Sequence, residues 1–269
     1  MSVLVIYHRS CLDGFGAAYA AWRKYPNAEF IPIQYGETPP DVTGRDVFIL
    51  DFSFKRDVLQ AMYQQAKSLQ VIDHHKTAQE DLEGLDYALF DMSKSGAMLA
   101  WEYFHPGKHI PILIHHIQDR DLWQFKFATT KAVTSALYSM VDWDFYAWHE
   151  YMTHPEKVRD LTDIGTMLLK QFDAELKTLE KRKHPIALGG YPGMAVNTNA
   201  KYSSELGNLL AQSAKYGATY AYDGSKGEWQ FSLRSIGDFD VSEIAKIYGG
   251  GGHRNAAGFA VKELRKEWL

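Results

Sequence analysis

The chain has 269 residues, of which 46% are apolar and 23% charged, proportions that exclude extensive disorder and suit one large or two moderate domains. Its net charge of −4 excludes a surface built to track long duplex nucleic acid, which needs a basic face. The single cysteine, Cys11, excludes an internal disulfide, so a reducing cytoplasm is the expected location.

The first apolar run, Val3 to Tyr7, follows no basic leader and precedes no cleavage site, so it reads as a strand and not a signal peptide. It runs into His8-Arg9-Ser10-Cys11-Leu12-Asp13-Gly14, and a helix is predicted from Phe15 to Lys24. Phe30 to Ile33 is the next strand. Val47 to Leu50 is another and ends at Asp51; Val58 to Lys67 then reads as a helix, and the strand Leu69 to Ile72 ends at Asp73-His74-His75. Strand alternating with helix predicts an α/β domain with a mainly parallel sheet and helices on both faces. In such a sheet the carboxyl ends of the strands open onto one edge, where ligands bind. His8, Asp13, Asp51, Asp73, His74 and His75 are therefore expected at one rim.

Farther along, Ile110 to Ile117 predicts a helix emptying into the loop Gln118 to Trp123. Residues 143 to 183 read as a helical connector, with Pro155 near a helix start and Lys181-Arg182-Lys183 where cations suit the helix dipole. After Pro185 short strands are predicted at Ile186 to Leu188, Met194 to Asn197, Thr219 to Tyr222 and Trp229 to Arg234, with a helix at Ser204 to Ser213. The expected organisation is thus a domain over 1–140, a connector over 141–184 and a smaller α+β domain over 185–269. Acidic residues outnumber basic ones before Pro185 and the two nearly balance after it, so the first part suits cations and the second anions. No stretch reaches the roughly 18 to 20 apolar residues of a membrane span, and no repeat is present.

Crowded carboxylates repel one another, and burying them unpaired is costly unless a cation neutralises them. Carboxylate oxygens mixed with imidazole nitrogens favour Mn²⁺ over the all-oxygen sets of Mg²⁺ or Ca²⁺. Two such ions roughly 3.5 to 4 Å apart activate water and stabilise charge at phosphorus, which points to phosphoester hydrolysis. Taken singly, His8 or Asp51 reads as a loop or capping residue; the shared edge is what makes them ligand candidates. His115 and His116 read as packing or surface residues, and His105, His109, His149, His154 and His184 fall outside the site. Gly14-Phe15-Gly16-Ala17-Ala18-Tyr19 lacks the third glycine of a dinucleotide fingerprint, and no P-loop pattern occurs. Gly249 to Phe259 carries four glycines followed by His253 and Arg254, either an anion-approaching backbone with added donors or a flexible turn.

Asp73-His74-His75, the His8…Asp13 segment, Asp51 and Asp119 resemble the four motifs of DHH phosphoesterases, and Gly250-Gly251-Gly252-His253 resembles the GGGH signature of the accompanying DHHA1 domain. The resemblance spans nearly the whole chain. It implies a two-domain hydrolase, akin to the nanoRNase or oligoribonuclease and exopolyphosphatase-related members, with Mn²⁺ in the first domain and substrate held by the second. Carried over, His8 and Asp51 look like ligands of one ion, and Asp13, Asp51, His74 and Asp119 like those of the other. Asp73 looks like the support of the neighbouring histidine, His75 like a contact of the scissile phosphate, and Gly251, Gly252, His253 and Arg254 like substrate anchors. Arg234 is the further phosphate clamp expected from its guanidinium. One position departs from the family: Cys11 stands where the first motif usually has aspartate. Its thiolate would shift preference toward Zn²⁺ or Fe²⁺, or else it is a small packed residue.

The expected substrates are dinucleotides and very short oligonucleotides, cleaved to mononucleotides, with no long duplex, no membrane partner and a homodimer open. Tyr202, Tyr220, Tyr222, Trp229 and Phe239 are stacking candidates for a base, though each is expected first as a core residue. Cyclic dinucleotides or polyphosphate are the alternative substrates. A nucleotide-binding regulatory protein with a decayed centre is the alternative of a different class.

Overall fold

The protein, seen here as a computed structural model, is described over residues 2–140, 142–265 and 268 and divides into two compact units, Met1–Leu169 and Lys170–Leu269. The expected boundary residues 1, 141 and 269 lie outside the described residues.

Unit 1 is built on β1 (Val3–His8), β2 (Glu29–Ile33), β3 (Asp46–Leu50), β4 (Ser68–Asp73) and β5 (Ala88–Phe90), in the order β2-β1-β3-β4-β5. Every pairing is parallel. Alternation along β1 explains the two-faced core: Leu4 and Ile6 enter one apolar cluster with Val47, Ile49, Val71 and α2 (Arg56–Gln65). Val5 and Tyr7 enter the other, with α1 (Leu12–Lys24), α4 (Gly96–Phe104) and α5 (Ile112–Asp121). Both faces of the sheet are thus covered, as all-parallel strands require.

The register places the chemistry. Tyr7 pairs with Leu50, and Leu50 with Ile72. His8, Asp51 and Asp73 therefore stand one residue beyond paired positions on three adjacent strands, at the β1/β3 point where strand order reverses and ligands of open α/β sheets bind.

Several elements differ from the sequence reading. α1 begins at Leu12, three residues early, so Asp13 sits in its first turn. Gly14 and Gly16 lower helix propensity in the sequence, but tertiary packing overrides them: a Cβ on Gly16 would lie 2.9 Å from that of Ala97 in α4. α5 runs through to Asp121 where a loop was expected from Gln118. The elements α3 (Lys76–Asp81), β5, α4 and α6 (Thr130–Met140) were not anticipated. The stretch 143–183, expected to be helical with a helix start near Pro155, comprises α7 (Phe145–Thr153) and α8 (Pro155–Glu180), proline taking the first position of the second helix.

Unit 2 holds β6 (His184–Leu188), β7 (Tyr191–Asn197), β8 (Gly217–Asp223), β9 (Glu228–Arg234), β10 (Gly251–His253) and β11 (Ala256–Val261), in the order β10-β11-β9-β8-β7-β6. Only β7 and β8 pair in parallel. α9 (Ser203–Ala211) closes one apolar cluster through Leu206 and Leu210, and α10 (Val241–Ile247) another through Val241 and Ile244. Tyr220 and Phe239 belong to the latter core and Tyr202 to the former, whereas Tyr222 is exposed. No described helix is long and apolar enough to cross a membrane.

Candidate metal centre

At the carboxyl edge of the first sheet, Asp51 directly follows β3 with a φ of 53°, a left-handed conformation that aspartate tolerates better than most residues. Its side chain is buried, 3.2 Å from His74 Nε2 through Oδ1 and 3.6 Å from His8 Nδ1 through Oδ2. Neither approach is directed as a hydrogen bond, and both carboxylate oxygens lack a hydrogen-bond partner among the described residues. An ionised carboxylate in that condition calls for a cation.

His74 Nε2 also lies 3.3 Å from Asp13 Oδ2 and 3.5 Å from Asp121 Oδ2. Asp13, buried, accepts a hydrogen bond from Gly96 N–H and another of 2.9 Å from Ala97 N–H. These are unpaired donors of the first turn of α4, whose N-terminus favours negative charge. Ser95 caps that helix, its Oγ accepting from Met98 N–H at 3.4 Å. The approach is possible because residue 96 is glycine: a Cβ there would stand 2.6 Å from that of Asp51 and 3.0 Å from Asp13 Oδ2.

Asp73 is buried in the same cluster. Its Oδ1 accepts from His74 N–H at 2.8 Å and lies 2.7 Å from His75 Nδ1, fixing the imidazole as metal-site carboxylates do. Ligand atoms gather as His8, Cys11 and Asp51; as Asp13, His74 and Asp121; and as Asp51, Asp73 and His75, each set lying within 4.8 Å. Asp51 belongs to two sets.

The electrostatics are those of crowded carboxylates and imidazoles. Burial opposes charge on His74, yet Asp121, Asp13 and Asp51 outweigh it and hold the imidazole up to about 12. His75 likewise resists burial through Asp73 and is held up to about 9. Partial withdrawal of its carboxylate from water, together with Asp13, pushes Asp121 up to about 7. Burial raises Asp13 too, with Asp51 adding to it. The Cys11 thiol is pushed well up by burial and by Asp51, Asp13 and Asp121. Asp51 and Asp73 go the other way: burial favours their neutral forms, but the imidazoles of His74 and His8 on one, and of His75 on the other, hold them low.

Asp119 requires a correction. It is buried outside these sets, and its carboxylate accepts from Lys126 N–H at 2.8 Å, Phe127 N–H at 3.1 Å and Thr130 Oγ1 at 2.6 Å. It anchors the loop after α5. Asp121 stands in the place expected for it, one turn beyond Ile117, whose Cδ1 lies against Gly16 of the helix that carries Asp13. The signal was in the sequence: carboxylates two apart face opposite sides once the helix extends past Gln118. His116, near Asp119, is buried with Nδ1 3.0 Å from Thr130 Oγ1, a packing role as expected.

In unit 2, Gly251, Gly252 and His253 form the edge strand β10 against β11, not a flexible turn. Gly252 has a φ of 137°, and a Cβ there would fall 2.6 Å from Ala256 O, so strand packing already demands glycine. Arg234 ends β9 and donates to Ser204 Oγ at 2.8 Å and to Leu233 O at 2.9 Å. Arg254 is exposed, 3.7 Å from Asp238 Oδ1.

Residues 192–268 match the DHHA1 domain family. An uncharacterized protein, R106, of Acanthamoeba polyphaga mimivirus is 31% identical across 97% of this chain and 68% of its own length. Oligoribonuclease NrnB of Bacillus subtilis is 27% identical across 72% of this chain; the match spans 53% of that protein. Among solved structures, RecJ of Thermus thermophilus in complex with Mn²⁺ superposes with a TM-score of 0.51 at 14% identity, covering 97% of this chain and 49% of RecJ.

Proposed function

This chain belongs to the DHH-family phosphoesterases, metal-dependent hydrolases, and we propose that it cleaves dinucleotides and very short oligonucleotides to mononucleotides. The observation that carries the reading is Asp51, buried with unsatisfied oxygens between His8 and His74. Relationship to NrnB, named as an oligoribonuclease, supports the substrate class. The near balance of charge after Pro185 supports contact with a few phosphates over long charge-tracking binding.

His8, Cys11 and Asp51 would hold one divalent cation and Asp13, His74 and Asp121 a second, with Asp51, 3.2 Å from His74 Nε2, placed to serve both. The mixture of carboxylate and imidazole fits Mn²⁺; the sulfur at one position admits Zn²⁺ or Fe²⁺. When bound, such ions neutralise phosphate charge and make water more acidic. The protein's own share of the chemistry begins with Asp73, which fixes His75 through Nδ1 and raises its basicity. His75 is the proposed contact of the scissile phosphate, donating to its oxygens as negative charge develops. Gly251, Gly252, His253, Arg254 and Arg234 are the proposed anchors for the rest of the substrate.

Incubating the purified protein with Mn²⁺ and end-labelled oligoribonucleotides of graded length tests this directly. Mononucleotide release from two- to five-mers, lost in Asp51→Ala, is the expected result. No release from any of them rejects the substrate assignment.

A further inference from the structure

Beside the metal centre stands an aromatic ring that catalysis does not use. Tyr35 is 50% exposed, and its ring centroid lies 5.6 Å from that of His8 and 6.3 Å from that of His75, edge-on to both. One side is backed by Phe52, itself buried, at 4.6 Å. An isolated exposed tyrosine needs no explanation, but this one is carried on a constrained turn. Gly36 has a φ of 89°, as the third residue of a type II turn requires, and Glu37 N–H donates to Gln34 O at 3.2 Å. The turn is then clamped to the end of β1. Arg9 donates through Nη1 and Nη2 to the two carboxylate oxygens of Glu37 at 2.8 and 2.9 Å, and Gln34 Nε2 donates to Arg9 O at 2.8 Å. Arg9 Nη2 also donates to Pro32 O at 2.8 Å. A bidentate fork plus three backbone bonds holds Tyr35 fixed next to His8, with little left to order when something stacks on it.

We propose that Tyr35 is the platform for the nucleobase of the nucleotide whose phosphate enters the metal centre, making the site selective for nucleotidyl esters over phosphate chains without bases. The inference rests on the functional reading above and adds the group that would recognise a base. With its centroid 6.3 Å from that of His75, the ring of Tyr35 is within reach of the base of a nucleotide whose phosphate meets that imidazole, and base–aromatic stacking tolerates any base because every base offers a flat face. Polyphosphate has nothing to place there.

The test is calorimetric binding of adenosine 5′-monophosphate and of ribose 5-phosphate, each with Mn²⁺, to the wild type, Tyr35→Ala and Tyr35→Phe, with Mn²⁺ content and thermal midpoint measured alongside. The wild type should prefer the adenine-bearing ligand by about tenfold, Tyr35→Phe should keep that preference, and Tyr35→Ala should lose it while retaining its metal and its midpoint. Equal affinity of the wild type for the two ligands overturns the proposal, as does a preference that survives in Tyr35→Ala or vanishes equally in Tyr35→Phe. Loss of metal in Tyr35→Ala overturns it too, by showing the ring to be a support for His8. Failure to release mononucleotides from oligomers would reject the functional reading instead, and the binding difference would still decide the role of Tyr35.

Discussion

Gly96 and Asp51 are in such close approach that a Cβ on the glycine would come within 2.6 Å of the Asp51 Cβ and 2.8 Å of its Oδ1. Residue 96 thus sets how near the first turn of α4 comes to the centre. It also determines whether Asp13 receives its two N–H donors. Gly96→Ala should displace Asp51 or tilt the helix. The expected cost is about 1 to 3 kcal/mol of stability, with a larger fall in metal affinity and turnover of about 100-fold. Elemental analysis and kcat on a dinucleotide check this; an alanine variant with full metal content and wild-type kcat would show that the close approach is dispensable.

Asp119 and Asp121 make opposite predictions although two residues separate them. Asp121→Asn should leave the thermal midpoint close to that of the wild type while lowering metal content and turnover by about 10- to 100-fold, because its carboxylate faces His74. Asp119→Ala strands two backbone N–H groups and the Thr130 hydroxyl. About 2 to 4 kcal/mol of stability should be lost there. Urea unfolding beside metal analysis separates the two roles, and the reverse pattern would restore Asp119 to the centre.

The contrast between these two aspartates shows what was legible in the sequence. Short β-branched runs ending abruptly in His8, Asp51 and Asp73 announced a parallel sheet and its chemical edge, since both faces of such strands are buried and their ends are not. α4 gave no such signal, because Gly96-Ala97-Met98-Leu99-Ala100-Trp101 is apolar on every side and has no period to read. Its cap, Ser95, was the available clue. Choosing between Asp119 and Asp121 required knowing where α5 stops, and helix ends are decided by tertiary contacts such as the Asp119 loop bonds. At Gly250 and Gly252 the composition suggested an anion loop, whereas the close passage of β11 is a sufficient reason for glycine.

Removing divalent cations should make stability fall with rising pH. Without metal, His75 is held up to about 9 in the folded protein against an ordinary value of about 6.5. The folded state therefore binds that proton more tightly than the unfolded chain. Its contribution is complete below about pH 6.5 and lost as pH rises through about 9. Asp121, pushed up to about 7, has the same sign at lower pH: protonation favours the fold, and that contribution is gone above pH 7. The thermal midpoint of chelator-treated protein should drop between about pH 6 and 9.5, and Mn²⁺ should flatten the curve by replacing protons as the counter-charge. A midpoint that rises over that interval would contradict the assignment.

Asp73→Asn preserves shape but removes the charge that holds His75. The 2.7 Å contact to Nδ1 would then no longer orient the imidazole or favour its charged form, so kcat should fall by about 10- to 100-fold while metal content stays near that of the wild type. The alkaline limb of the pH–rate profile should move toward lower pH, because His75 would lose its proton earlier. An unshifted limb would assign the limb to another group.

Cys11 gives a prediction about which metal is held. Its sulfur gathers with His8 and Asp51, the one soft donor among carboxylates and imidazoles. Burial and three carboxylates push the thiol up, so without a cation it stays protonated and inert. A divalent ion would reverse that by favouring the thiolate, most strongly when the ion is thiophilic. Cys11→Asp should therefore weaken Zn²⁺ binding relative to Mn²⁺ by about tenfold or more and raise Mn²⁺-supported turnover, whereas Cys11→Ser should weaken Zn²⁺ without improving Mn²⁺. Competitive metal titration of the three proteins measures the ratio directly. If it is the same in all three, Cys11 is a packed side chain and the His8 site is completed by other donors.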